Sequence, residues 1–471
     1  MTTVPLTPVP LKPVPGPRGL PLLGNLPAFG RDPLAFLVRL RDEYGDAVTW
    51  SLGPRRSLFL FHPTHIAEFL AARERTFELL EIGWAFKQLT GGSLILSKGS
   101  DWRRKRSLVQ PTVRPRQVRG YATAMVECAR DAAAQWQDGD RIDVRHQMAL
   151  LTQRIVLRTL FGNDLGDRTR ALSEAMAVAE HGIGAELRNM TLFLPGWIRT
   201  PGRRRLLRAI ATIDAEVHRL IRARQRRGDT GDRDDLLSRL LAARDEEGRP
   251  LTAEEVRDEA ATLWAAGHET TSTALTWTWY LLSHSPEARE RLTTELDEVL
   301  AGRPPTIDDY DRLAWTRQII KEALRLYPPA WLIPAVARDG ATLAGTRIPA
   351  GTVVWCSQWT THRDPRWFPD PTAFRPQRWD PDAPDPVPDH AWYPFGGGQR
   401  TCLGARFAQV EAALLLATLA QHHHLDVAPA DPAPRVGLLL QPPTALHATV
   451  RRRRTVCDGS PRRRGDPSAM P

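Results

Sequence analysis

Apolar positions recur at helical spacing through most of this 471-residue chain. That period predicts helices over 117–137, 141–161, 166–188, 203–227, 234–245, 253–284, 286–302 and 312–327. Ahead of them, Gly45 and Gly53 punctuate "YGDAVTWSLGPRRSLFLF", whose alternation predicts a β-hairpin. Behind them, "ATLAGTRIPAGTVVWCSQWTTH" predicts strands turning at Gly345 and Gly351. A Pro- and Asp-rich meander follows, then the glycine-rich stretch "PFGGGQRTCLGARF", a last helix over 404–423 and a closing hairpin over 434–450. No repeat of fixed period interrupts this order. The expected fold class is mainly α with a minor β region.

The two ends differ from the body. Prolines crowd the opening from Pro5 to Pro21, so residues 1–30 should run extended and lie against the body. Residues 31–450 form the expected main domain. The tail 451–471 holds seven arginines against Asp458 and Asp466, which is half of the chain's net charge of +10, and it shows no apolar period. It is expected to be disordered and solvated. The excess left on the body is a weak argument for a polyanionic partner, so no nucleic acid is expected. Cys128, Cys356, Cys402 and Cys457 make no disulfide framework, which fits a reducing compartment. No run approaches the ~20 apolar residues of a membrane span, and no charged-then-apolar leader opens the chain. A cytoplasmic protein without a membrane span is the expectation.

Four stretches carry chemistry. In "LWAAGHETTSTALTW" a mid-helix glycine and a run of hydroxyl residues weaken the helix by ~1 kcal/mol for the glycine alone. Such a helix suits a bulge where a ligand approaches, and Glu269 beside Thr270 places a proton source next to a hydroxyl. In "KEALRLYPP", Glu322 and Arg325 share a helical face, and Arg378 of "FRPQRW" can complete a buried carboxylate–guanidinium cluster. In "SDWRRKRSLVQP", Trp102 and Arg106 stack four apart and suit an anionic ligand group. In "PFGGGQRTCLGARF", Cys402 sits in a loop that another object can approach closely. The run His422 to His424 ends the predicted last helix, where imidazoles favour the negative end of the dipole rather than a metal.

Together and in this order, these stretches resemble the cytochrome P450 family, over about residues 15–450. The cysteine loop matches F-x-x-G-x-R-x-C-x-G through Phe395, Gly398, Arg400, Cys402 and Gly404, and A-G-x-E-T-T is met by Ala266, Gly267, Glu269, Thr270 and Thr271. The resemblance implies haem b held between the oxygen-binding helix and the helix after the cysteine loop. It makes Cys402 the axial thiolate, with the loop glycines letting backbone amides reach its sulfur. Arg400, Trp102 and Arg106 would hold the propionates. One departure is Ala335, where the family often has a propionate-binding arginine; Arg338 is a candidate substitute. By the same analogy the pocket is lined by Trp84, Phe86, Leu263, Ala266, Ala330, Trp331, Leu332 and Leu438, an apolar set that fits a terpenoid or another hydrophobic secondary metabolite.

The implied reaction is insertion of one oxygen atom from O2, with electrons from NAD(P)H delivered by a ferredoxin or flavodoxin and its reductase. Arg103, Arg104, Lys105 and Arg406 would face that partner. Two other readings stay open at this point: a peroxide-driven haem-thiolate enzyme, and a haem-binding ligand sensor without catalysis.

Overall fold

The computed structural model describes residues 14–81, 83–162, 168–188, 194–227, 235–428, 432–443 and 445–453. The segment from Val14 lies along the first strand, Thr49 N–H donating to the Pro15 carbonyl at 2.9 Å. Helices α1 (Leu26–Arg31) and α2 (Pro33–Tyr44) precede the expected hairpin, β1 (Ala47–Leu52) and β2 (Arg55–Leu60). Then come α3 (Pro63–Ala72), β3 (Phe77–Glu78), α4 (Gly83–Thr90) and α5 (Gly99–Val109). Periodicity had not marked α2, α3 or α4. Each of α2 and α3 starts with a proline at its first turn, after a capping Asp32 or His62.

The helical body runs through α6 (Pro115–Ala133), the strand β4 (Arg141–Asp143), α7 (Val144–Phe161), α8 (Arg168–Arg188), α9 (Pro201–Arg227) and α10 (Leu236–Ala242). It continues through α11 (Ala253–Ser283), α12 (Pro286–Leu300) and α13 (Ala314–Leu326). The predicted helix over 141–161 thus loses its first three residues to β4. Asp143 ends that strand and caps α7 by accepting from Arg145 N. At the centre lies α11, 31 residues long, opened by a capping box between Thr252 and Glu255. Its predicted bulge is absent: the helix runs unbroken. Gly267 serves packing instead, because a Cβ there would stand 3.2 Å from Val156 of α7.

The sheet region holds β5 (Ile333–Ala337), the hairpin β6 (Thr342–Leu343) and β7 (Thr346–Arg347), β8 (Val353–Cys356) and the short α14 (Gln358–Thr361). One sheet has the order β1-β2-β8-β5-β3, with β2 and β8 parallel. After the cysteine loop come α15 (Ala405–Ala420), β9 (His423–Val427), β10 (Arg435–Val436), β11 (Leu440–Gln441) and β12 (His447–Arg452). Two expectations change here. His423 and His424 belong to β9 rather than to a helix end, with His423 edge-on to Trp136 at 5.6 Å. The closing hairpin is only β10–β11; β12 instead joins β4 and β9 in a second sheet. Arg451 and Arg452 continue β12, and Arg453 pairs with Asp297. The rest of the basic tail, 454–471, and the opening 1–13 lie outside the described residues.

Candidate active site

Glycine-loop geometry presents Cys402. Its backbone N–H donates to the Phe395 carbonyl at 2.9 Å, closing the loop, and α15 starts three residues later. Gly398 has φ +64°, and a Cβ there would lie 2.1 Å from the Leu70 carbonyl of α3. Gly397 likewise leaves Leu70 room, at 3.0 Å. Two of the loop glycines therefore seat the loop on α3, a demand the sequence reading had assigned to sulfur contacts. Gly404 is the one whose N–H bears on the sulfur. The thiol is accessible although protein surrounds it, and burial pushes its pKa up while the Gly404 N–H and the Arg106 charge pull it back.

Cations gather beside it. Arg106 donates to the Thr401 carbonyl at 3.0 Å and to Gln110 at 3.1 Å. Arg400 pairs with Glu74 at 2.6 Å, reaches the Ser97 carbonyl at 2.8 Å and lies 4.7 Å over the Trp102 ring. The Trp102 indole N–H has no hydrogen-bond partner among the described residues. Sequence reasoning missed Arg73, which follows α3. Its Nε is buried without a partner, and its one recorded contact is a long 3.4 Å reach to the Pro334 carbonyl, next to Ala335. Burial lowers its pKa to about 10, with Arg400 adding to the drop. Arg338, by contrast, points its guanidinium at the Arg75 carbonyl, 3.5 Å away.

On α11, Leu263, Ala266, Gly267 and Thr270 stay accessible along one face, with Ala265 and Glu269 half-buried at its edge. Ala330 is open as well. The Thr270 hydroxyl donates to the Ala266 carbonyl at 2.7 Å, which leaves its oxygen free to accept. Glu269 accepts from the Gln441 amide of β11. Burial and the nearby Glu180 raise its pKa to about 7, against His268, Gln441 and Arg145. Burial pulls the His268 imidazole down, but the charge and hydrogen bond of Glu180 at 3.2 Å, the Trp264 carbonyl and the Glu269 charge together outweigh it and raise its pKa to about 9. Behind α11, Glu411 of α15 is fully buried, and among the described residues neither of its oxygens has a hydrogen-bond partner. Burial pushes it up to about 8, eased by Thr271 and His268.

Other expected residues divide. Glu322, Arg325 and Arg378 come together: Arg325 bridges both Glu322 oxygens at 2.8 and 2.9 Å, and Arg378 adds a bond at 3.0 Å. Phe86 is buried in the main core, Leu332 is half-buried, and Leu438 is exposed at the β10–β11 turn. Trp84 is claimed by Arg203 and Arg199, 4.8 and 5.3 Å from its ring, so it fastens α4 to the α9 end instead of lining a pocket freely. Trp331 packs into the sheet core and donates to the Gly437 carbonyl at 3.0 Å, propping the hairpin. The basic face loses two members. Arg104 is bound by Asp245 and Glu255, and Lys105 is buried against Asp101 and the Gly92 carbonyl.

A thiol presented by a glycine loop, three arginines around a single paired carboxylate, and an acid–alcohol pair on a central helix suit a haem-thiolate class of oxygenase. The cytochrome P450 family model matches residues 14–448, and the chain belongs to that family. Among curated relatives, cyclooctatin synthase of Streptomyces melanosporofaciens is 36% identical over 436 residues, covering 90% of this chain and 93% of that protein. Cyclooctat-9-en-7-ol 5-monooxygenase of the same organism is 37% identical, covering 88% and 89%. Pentalenene oxygenase of Streptomyces avermitilis is 36% identical, covering 88% and 91%. The protein is accordingly a P450 monooxygenase that uses haem, O2 and electrons from redox partners. Among the described residues no helix is long and apolar enough to cross a membrane.

Proposed function

We propose that the protein oxygenates a terpenoid hydrocarbon or alcohol, with Cys402 as the iron ligand and Glu269 and Thr270 delivering protons. The observation that carries this is the open face of α11, where apolar Leu263 and Ala266 adjoin Thr270, with the half-buried Glu269 beside them. A substrate held there is recognised by shape and apolar contact. Relatives named for pentalenene and cyclooctat-9-en-7-ol, an alkene and an alkenol by name, support the same class.

The residues present fit haem. Glu74 pairs with Arg400, while Arg73 and Arg106 have no ion-pair partner among the described residues, which leaves two positive charges for the two propionates. The buried Arg73 Nε, without a partner among the described residues, is a donor awaiting an acceptor. In this reading Arg73 occupies the role that Ala335 cannot fill. Bound there, haem supplies O2 activation and electron storage. The chain's own part is to hold the iron through Cys402, soften the thiolate with the Gly404 N–H, and keep water from the apolar side. Glu269, poised near neutral pH, passes protons, and the Thr270 oxygen holds the receiving water in line. Glu322, Arg325 and Arg378 lock the meander on which the cysteine loop rests.

Electrons would come from a cytoplasmic ferredoxin or flavodoxin docking near Arg103 and Arg406, the two expected basic residues left exposed. The test is a screen of terpene hydrocarbons and alcohols for substrate-induced spin-state shifts, followed by turnover under labelled O2 with a surrogate ferredoxin pair. One labelled oxygen per product is the expected result. Turnover only with fatty acids or macrolides would overturn the substrate class.

A further inference from the structure

Glu269 needs something to hold it. Its side chain is half-buried on α11, and among the described residues its only hydrogen bond comes from the Gln441 amide. The groups around it are Glu180 of α8, His268 on its own helix and Arg145 of α7, with Glu411 and Thr271 near His268 on the α15 side. His268 is engaged elsewhere, by Glu180 at 3.2 Å and by the Trp264 carbonyl at 2.9 Å. The charges act on Glu269 through space; among the described residues the Gln441 amide is what fixes where its oxygens point.

The placement of Gln441 is itself well determined. Its strand pairs with β10 in the register Arg435↔Gln441. Its neighbour Leu440 donates to the Pro329 carbonyl at 2.9 Å, and Trp331 bonds the Gly437 carbonyl at 3.0 Å. The hairpin is thereby anchored on the segment after α13, with Leu438 exposed at its turn.

An amide suits a carboxyl that must gain and lose a proton. Its NH2 donates to the carboxylate, and its carbonyl accepts from the protonated acid. A lysine or arginine there would lock the anion, and an aliphatic residue would leave the acid unguided.

We propose that Gln441 is a positioning residue for proton delivery, holding Glu269 in both protonation states from the β10–β11 hairpin. The proposal rests on the reading of Glu269 as the proton-passing acid. It also makes one two-stranded element serve both the expected substrate contact, through Leu438, and the orientation of the acid.

The test compares Gln441→Met, which keeps length and removes both polar atoms, with Glu269→Gln, in the full holoprotein. Product formed per reduced nicotinamide is measured across pH 6 to 9, and the carboxyl stretch of the ferric protein is titrated by infrared difference, its band assigned by loss in Glu269→Gln. Because the amide donor lowers the acid's pKa, Gln441→Met should shift the band's midpoint upward by ~0.5 unit or more, move the alkaline fall in coupling with it, and lower coupling at the optimum ~3-fold. Substrate-induced spin shifts should persist. An unchanged midpoint and coupling in Gln441→Met, with Glu269→Gln strongly uncoupled, would overturn the role of Gln441 alone. A Glu269→Gln protein that keeps full coupling would overturn the acid assignment and this proposal with it.

Discussion

Replacing Glu411 by glutamine should make the protein's stability less sensitive to alkali. Glu411 is fully buried on α15, without hydrogen-bond partners among the described residues, and its pKa stands at about 8 against an ordinary 4.5. Below about pH 4.5 the folded and unfolded chains both carry its proton, so Glu and Gln differ little. Above that, the unfolded chain releases the proton while the folded chain keeps it, and stability declines with each unit up to about pH 8. Beyond it both states are ionised and the loss is complete. Glutamine has no such titration. Between pH 5 and pH 8 the wild type should lose about 4 kcal/mol relative to Glu411→Gln, at ~1.36 kcal/mol per unit. With an unfolding entropy of ~2.1 cal/mol/K per residue, a chain this long gains about 1 °C in melting temperature per kcal/mol. Calorimetry of both holoproteins at the two pH values should therefore show the gap widening by about 4 °C. Titration of His268 and Glu269 is common to both proteins and cancels to first order. Melting curves that shift in parallel, within about 1 °C, would refute the buried neutral acid.

Three further outcomes follow from the same geometry. Glu322→Ala strands Arg325, Arg378 and the Trp379 indole; a loss of about 3–5 kcal/mol should appear as low yield of folded holoprotein, and an unchanged melting point would contradict the cluster's role. Arg73→Met should release haem to apomyoglobin several-fold faster while Arg338→Ala does not; the reverse order would return the propionate role to Arg338. Thr270→Ala should still bind substrate and consume reduced nicotinamide, yet divert it to hydrogen peroxide, a ~10-fold fall in product per electron costing only ~1.4 kcal/mol.

What was legible in the sequence was short-range. Glu322 and Arg325 lie three apart, Trp102 and Arg106 four apart, and Glu269 adjoins Thr270, so helical geometry alone places them together. The long apolar period of α11 was equally plain. What escaped depends on chain returning from far away. Arg73 gains meaning only where β5 brings Pro334 and Ala335 beside it, and Gln441 only where its hairpin meets α11, 172 positions from Glu269. Arg104 looked free because its partners Asp245 and Glu255 lie 141 and 151 residues on. Gly398 invited a cofactor reading, but its constraint comes from the Leu70 carbonyl. Glu411, inside "AQVEAALLLATLA", looks like the polar face of an ordinary helix. Its isolation is a property of the packed core. The last helix was drawn too long because three histidines carry no breaker signal, whereas pairing of His423 and His424 with β12 pulls them into a strand.

The assignment of Cys402 as the iron ligand is tested most directly by the carbon-monoxide difference spectrum of the reduced protein. The wild type should show the Soret band at the thiolate-type position, and Cys402→Ala, with Cys356→Ala as the control for the buried strand thiol, should lose it. A thiolate-type band that survives in Cys402→Ala would contradict the account at its root.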